Sequence, residues 1–125
     1  ASIGAKLSND EKRVVLITGD GGLLMVLGEL LTLSENDIDV KIFLINNGVL
    51  GTIKQYEDAK FGGKYSFSLG EKDFVSISRG LGVSAERAED KGELKKGIKE
   101  TLDSEGSMLL DILTDPNQKV PSGGI

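Results

Sequence analysis

Two apolar runs rich in β-branched residues, with an apolar helical segment between them, constrain this chain more than any other feature. Val14 to Ile17 stops at Thr18-Gly19-Asp20-Gly21-Gly22, and Val40 to Ile45 stops at Asn46-Asn47-Gly48. The first run does not alternate polar with apolar, which is how a parallel strand covered on both faces reads. Leu23 to about Glu35 has helical composition and lies between them. A strand–helix–strand unit is right-handed with parallel strands, so both turns leave the sheet at its carboxyl edge. Open α/β sheets bind their ligands outside that edge. Asp20 and Asn47 are 47 − 20 = 27 positions apart in sequence, yet each follows directly on a strand. Their side chains are thereby aimed at one crevice.

The segment from Leu23 to Glu35 is apolar on nearly every side, through Leu23, Leu24, Met25, Val26, Leu27, Leu30, Leu31 and Leu33. A helix of that kind is buried on several sides. Other segments of the chain or a partner chain must cover it. Glu29 then sits mid-helix in apolar surroundings, where a structural hydrogen bond across an interface fits better than catalysis. In the second strand Val40, Ile42 and Leu44 point one way and Phe43 and Ile45 the other.

The remaining chain repeats the alternation of strand and helix. Ala1 to Leu7 reads as the tail of a helix with no start ahead of it, so the chain is expected to begin inside a domain. Gly51 to about Lys60 has helical composition. Phe61 to Gly70 reads as a loop, whose glycines give it freedom and whose Phe61, Tyr65 and Phe67 could close over a nearby site. Asp73 caps a short helix carrying Phe74, Ile77 and Leu81, which Gly82 stops. Val83 to Ala88 is a weak strand. Asp90 with Glu93 has the form of a capping box, opening a helix with Leu94, Ile98 and Leu102 on one face. Ser107 to Leu113 is a final buried strand, in which Asp111 reads as a hydrogen-bonding residue near the strand end. Residues 1–125 are therefore read as one three-layer α/β domain with a mainly parallel sheet.

Composition removes several functions. The net charge of −5 opposes a nucleic-acid or anionic-membrane surface. Lys95, Lys96 and Lys99 alternate with Glu93 and Glu100, as on a solvated helix face. There is no cysteine and no histidine, so thiolate metal sites, disulfides and imidazole bases are all excluded. The apolar run Leu23 to Leu33 is too short to span a bilayer and carries Glu29. No signal peptide is visible. A cytoplasmic location is the expectation.

The chemistry of the two turns points to a charged ligand. Gly19-Asp20-Gly21-Gly22 is neither the dinucleotide fingerprint, which needs glycine where Leu24 stands, nor a P-loop, which needs Gly-Lys-Ser/Thr. It offers N–H groups of Gly21 and Gly22 at a helix start, suited to phosphate. A carboxylate beside phosphate needs a cation between them. The Asp20 carboxylate, the Asn47 amide oxygen and a backbone carbonyl just beyond form a set of hard oxygen donors of the kind Mg²⁺ selects. Each turn alone is also an ordinary turn signal.

Those residues carry a resemblance to a known family. Ile17-Thr18-Gly19-Asp20-Gly21-Gly22, with 27 positions from aspartate to the second asparagine, resembles the diphosphate-binding motif of thiamine diphosphate-dependent enzymes. Glu29-Leu30, the stretch from Asn46 to Asp58, Asp73 to Val83 and the last strand extend the likeness to the acetolactate synthase and pyruvate oxidase branch. The resemblance implies the larger, C-terminal part of a pyrophosphate-binding domain, incomplete at its N-terminus. It implies Asp20, Asn47 and the Val49 carbonyl as Mg²⁺ ligands, with Gly19, Gly21, Gly22 and Leu50 beside the cofactor. Val26, Gly28 and Thr52 depart from the family's usual residues, and Thr52 bears on substrate. The tail Val120-Pro121-Ser122-Gly123 matches only loosely.

By the same resemblance, the glutamate that activates the cofactor lies on a separate pyrimidine-binding domain, usually of a second subunit. The chain alone is then expected to be inactive and the enzyme a homo-oligomer. The expected activity is decarboxylation of a 2-oxo acid with transfer of the two-carbon unit, as in acetolactate synthase. Pyruvate oxidase and 2-oxo acid decarboxylase chemistry are the alternatives within the family. Outside it, a non-enzymatic Mg²⁺-dependent receiver or binding module competes, but would call for clustered acids and a lysine at a late strand end.

Overall fold

A computed structural model describes residues 1–63, 65 and 68–118. The elements are α1 (Ser2–Ser8), β1 (Val14–Gly19), α2 (Asp20–Met25), α3 (Glu29–Glu35), β2 (Val40–Asn46), α4 (Gly51–Phe61), α5 (Phe74–Gly80), β3 (Ser84–Ala88), α6 (Lys91–Asp103) and β4 (Met108–Leu113). The four strands form one sheet in the order β1-β2-β4-β3, every neighbouring pair parallel. Leu16 lies beside Ile42, and Phe43 beside Leu110.

Side chains alternate across the sheet and build two cores. On one face Val40, Ile42, Leu44, Ala85 and Leu109 meet Leu23 of α2, Leu30 and Leu33 of α3, and Phe74 of α5. On the other, Phe43, Ala88 and Leu110 meet Leu94 and Leu102 of α6. Helices therefore lie on both faces, and the three-layer α/β reading holds. Lys41 is the exception inside β2. Its ammonium is buried and donates to the Ser104 carbonyl at 2.8 Å, the Ser104 hydroxyl at 3.1 Å and the Gly106 carbonyl at 2.6 Å. All three lysine donors are used, which clamps the turn between α6 and β4.

The helix starts follow their caps. Asp73 Oδ1 accepts from the Ser76 N–H at 3.1 Å. The Ser76 hydroxyl, and then its N–H, hold the Asp73 carboxyl below its ordinary range. Asp90 Oδ1 accepts from the N–H groups of Gly92 and Glu93, while Glu93 reaches back to the N–H of Glu89, one residue before the cap. Ile98 is 37 % exposed, so the docking face of α6 is Leu94, Gly97 and Leu102. A Cβ on Gly97 would stand 2.7 Å from Leu110 Cδ1, which explains a glycine in mid-helix.

Three expectations are corrected. The helix starts at Asp20, and Val26 to Gly28 divide it into α2 and α3. Across the break, bonds run from Val26 N to Leu23 O, Glu29 N to Val26 O and Leu30 N to Leu27 O. This i→i+3 pattern tightens the backbone at the glycine. Glu29 consequently opens α3 and is exposed, rather than buried in mid-helix. The third correction concerns β1, which is covered on one face only. Val15 is 44 % and Ile17 70 % exposed, because α6 packs over β3 and β4 and no described element reaches that far.

Candidate functional site

The βαβ unit does what its topology requires. β1 ends at Gly19 and β2 at Asn46, side by side, and the turns that follow face each other at the carboxyl edge. Asp20, the first residue of α2, is 4 % exposed. Its Oδ1 accepts from the N–H of Gly21 at 2.8 Å, and its Oδ2 from the N–H of Gly48 at 2.7 Å. The second bond joins the two turns directly. Gly48 has φ +68°, the left-handed region where glycine carries no Cβ penalty, and this turns its N–H toward the carboxylate. Hydrogen bonds from N–H groups to a carboxylate are charge-assisted, and they hold the buried charge in one orientation.

Asn47 Oδ1 accepts from the N–H of Val49 at 3.1 Å, which folds the side chain over its own turn. A Cβ on Gly51 would lie 3.1 Å from Asn47 Nδ2, so the glycine leaves that amide its place. Opposite, a Cβ on Gly21 would meet Leu50 Cδ2 at 2.6 Å. Leu50 packs directly on backbone that has no side chain.

These turns border an open cavity of about 710 Å³. All seven residues singled out in the sequence line it: Gly19, Asp20, Gly21, Gly22, Asn47, Val49 and Leu50. The Gly21 N–H, expected to be free for phosphate, is turned to Asp20 Oδ1. Among the described residues Asp20 is the one acidic residue in the lining. Among the described residues no group of three acidic, histidine or cysteine side chains could hold a metal. The acidic cluster of a receiver is therefore not formed among them. A cation here would take one carboxylate, one amide and backbone oxygen.

Two of the lining residues that the sequence did not single out come from distant segments. Leu69 comes back to the site from the far end of the 61–70 segment. Its N–H donates to the Gly48 carbonyl at 2.8 Å, and Ser68 bridges Val49. Gln118 arrives from beyond β4, where its carbonyl accepts from Gln55 Nε2 at 3.2 Å. Neither placement has a local sequence signal, since each depends on where a long loop returns. Of the aromatics expected to close over the site, Phe61 and Tyr65 are 60 % and 58 % exposed and do not line the cavity. Phe67, like the tail Val120 to Gly123, lies outside the described residues.

A parallel sheet with helices on both faces, and a crevice where two strands end that holds the Asp20 carboxylate and the Asn47 amide, is an α/β domain with its candidate ligand site at the carboxyl edge. Residues 1–112 match the family "Thiamine pyrophosphate enzyme, C-terminal TPP binding domain", and the chain belongs to that family. Over 123 residues it is 42 % identical to the "Probable acetolactate synthase large subunit" of Methanocaldococcus jannaschii, covering 97 % of this chain and 21 % of that protein. It is 34 % identical to the acetolactate synthase isozyme 1 large subunit of Escherichia coli, over 96 % of this chain and 22 % of the relative. Its fold superposes on a thiamine diphosphate-dependent 4-hydroxybenzoylformate decarboxylase from Rhodococcus jostii with a TM-score of 0.85. That match covers 91 % of this chain and 22 % of that one at 23 % identity. The chain spans about a fifth of the length of these relatives.

Proposed function

We propose that this domain anchors the diphosphate of thiamine diphosphate through Mg²⁺ in an acetolactate synthase-like enzyme. The observation that carries the reading is the bond from the Gly48 N–H to Asp20 Oδ2, which holds the two candidate ligand turns together at the cavity. The donor set fits the group. A carboxylate and an amide oxygen are hard ligands, and Mg²⁺ completes its shell with phosphate oxygens and water. The glycines from Gly19 to Gly22 let backbone approach a diphosphate without side chains between. Asp20, Asn47 and the Val49 carbonyl would hold the ion, and Leu50 would border the cofactor above Gly21.

Bound thiamine diphosphate would supply the carbanion chemistry, as such cofactors do. This chain's residues bind, orient and neutralise charge. The activating glutamate would come from a pyrimidine-binding domain of a second subunit, and the substrate would be a 2-oxo acid. The likeness to acetolactate synthase subunits supports that class over pyruvate oxidase or simple decarboxylation.

The test is calorimetry of thiamine diphosphate binding to the full-length enzyme with and without Mg²⁺. Wild type is expected to bind only with the ion. Asp20→Ala should weaken binding by about a hundredfold or more, beyond what loss of an outer hydrogen-bond partner causes. Unchanged affinity would reject the assignment.

A further inference from the structure

A line of three polar side chains crosses the sheet just beneath the Asn46-Asn47 turn. Arg87 of β3 stands beside Asp111 of β4 in register, and Asn46 ends β2 on the next strand. All three lie on the sheet face that carries Leu44, Ala85 and Leu109. Asp111 is completely buried. Its Oδ1 accepts from Asn46 Nδ2 at 2.9 Å, and its Oδ2 accepts from Arg87 Nε at 3.0 Å, with the second guanidinium nitrogen also at 3.0 Å. Asn46 is held by its backbone too, since its carbonyl accepts from the Thr114 N–H at 2.8 Å. The residue before Asn47 is thus fixed at both its side chain and its main chain.

We infer that Asp111 is a positioning residue for the metal-ligand turn, acting through Asn46 and oriented by Arg87. This rests on the reading of Asp20 and Asn47 as Mg²⁺ ligands. A buried carboxylate between two donors has one arrangement that satisfies both, so the Asn46 amide cannot rotate without stranding a hydrogen-bonding group. Asn47 follows by one peptide bond, which leaves its amide oxygen little freedom. The carboxylate touches neither ion nor cofactor. It sets where a ligand stands, and partners of that kind change metal affinity by about 10–100-fold when removed.

The experiment separates this role from mere stability by comparing two double variants of the full-length enzyme. Arg87→Met with Asp111→Asn removes both charges and keeps an acceptor for Asn46. Arg87→Met with Asp111→Leu removes both charges and the acceptor. Neither leaves a buried charge alone. The readout is the Mg²⁺ concentration at half-saturation of thiamine diphosphate binding, followed by calorimetry, with the melting temperature recorded beside it. The first pair should stay within about threefold of wild type and the second should rise about 10–100-fold. Asn46→Ala leaves the ion pair intact and should rise in the same range, which keeps the test open if a double variant fails to fold. Equal Mg²⁺ requirement in the two pairs, or a wild-type requirement in Asn46→Ala, would overturn the role of Asp111. Cofactor binding by wild type that is indifferent to Mg²⁺ would instead overturn the site reading itself, and this inference with it.

Discussion

Asp20 carries more of the site than its carboxylate charge. Because its oxygens accept from Gly21 and Gly48, one residue orients both turns, and replacing it removes a strut as well as a ligand. Gly21 makes the complementary point about space. Its missing Cβ is where Leu50 Cδ2 sits, at 2.6 Å from the ideal position. Leu50 is partly exposed, so it can rotate away at little cost to the fold, but it would rotate into the cavity wall that borders the ligand. Gly21→Ala should therefore weaken cofactor binding about tenfold, or about 1.4 kcal/mol, while leaving the melting temperature near wild type. Calorimetry and thermal unfolding of the full-length enzyme decide it. A large fall in melting temperature with normal affinity would show that the contact is structural only.

Among the elements, α6 is the one whose sequence cost has a visible cause. Gly97 lowers helix stability by about 1 kcal/mol relative to alanine. Alanine there would press on Leu110 Cδ1 at 2.7 Å and Cδ2 at 3.1 Å, and Leu110 is wholly buried. Overpacking costs about 1–3 kcal/mol, so the steric term wins over the propensity gain. Gly97→Ala should destabilise by about 1 kcal/mol in urea unfolding, and adding Leu110→Val should recover the loss. Stabilisation by the single change would refute the close contact. The strands, their parallel pairing and the caps at Asp73 and Asp90 were readable because each has a local pattern. The break at Val26–Gly28 was not, because eight apolar residues in the run mask the i→i+3 turn and only Gly28 hints at it. The seven cavity residues were readable from topology, since strand ends fix their place. Leu69 and Gln118 were not, since long segments deliver them. Nor did the apolar run of β1 reveal its bare face, because burial depends on what packs above it.

At the scale of the whole chain, apolar surface is left uncovered on the β1 side. Val15, Ile17 and Ile45 are exposed on one sheet face, and Met25 of α2 is 82 % exposed. Among the described strands β1 pairs along one edge only, which leaves a template for another strand. The 125-residue chain by itself should associate with rising concentration in sedimentation velocity, and Ile17→Lys with Met25→Lys should reduce that association. A monomer at every concentration would refute the prediction. The order of the sheet also has a consequence in time. β2 lies between β1 and β4, and Lys41 pairs with Met108, a separation of 108 − 41 = 67 residues. On a ribosome adding about 5–20 residues per second, the second edge of this apolar strand waits roughly 3–13 s for its partner to be made. During that interval nascent β2 is the segment a chaperone would most need to shield.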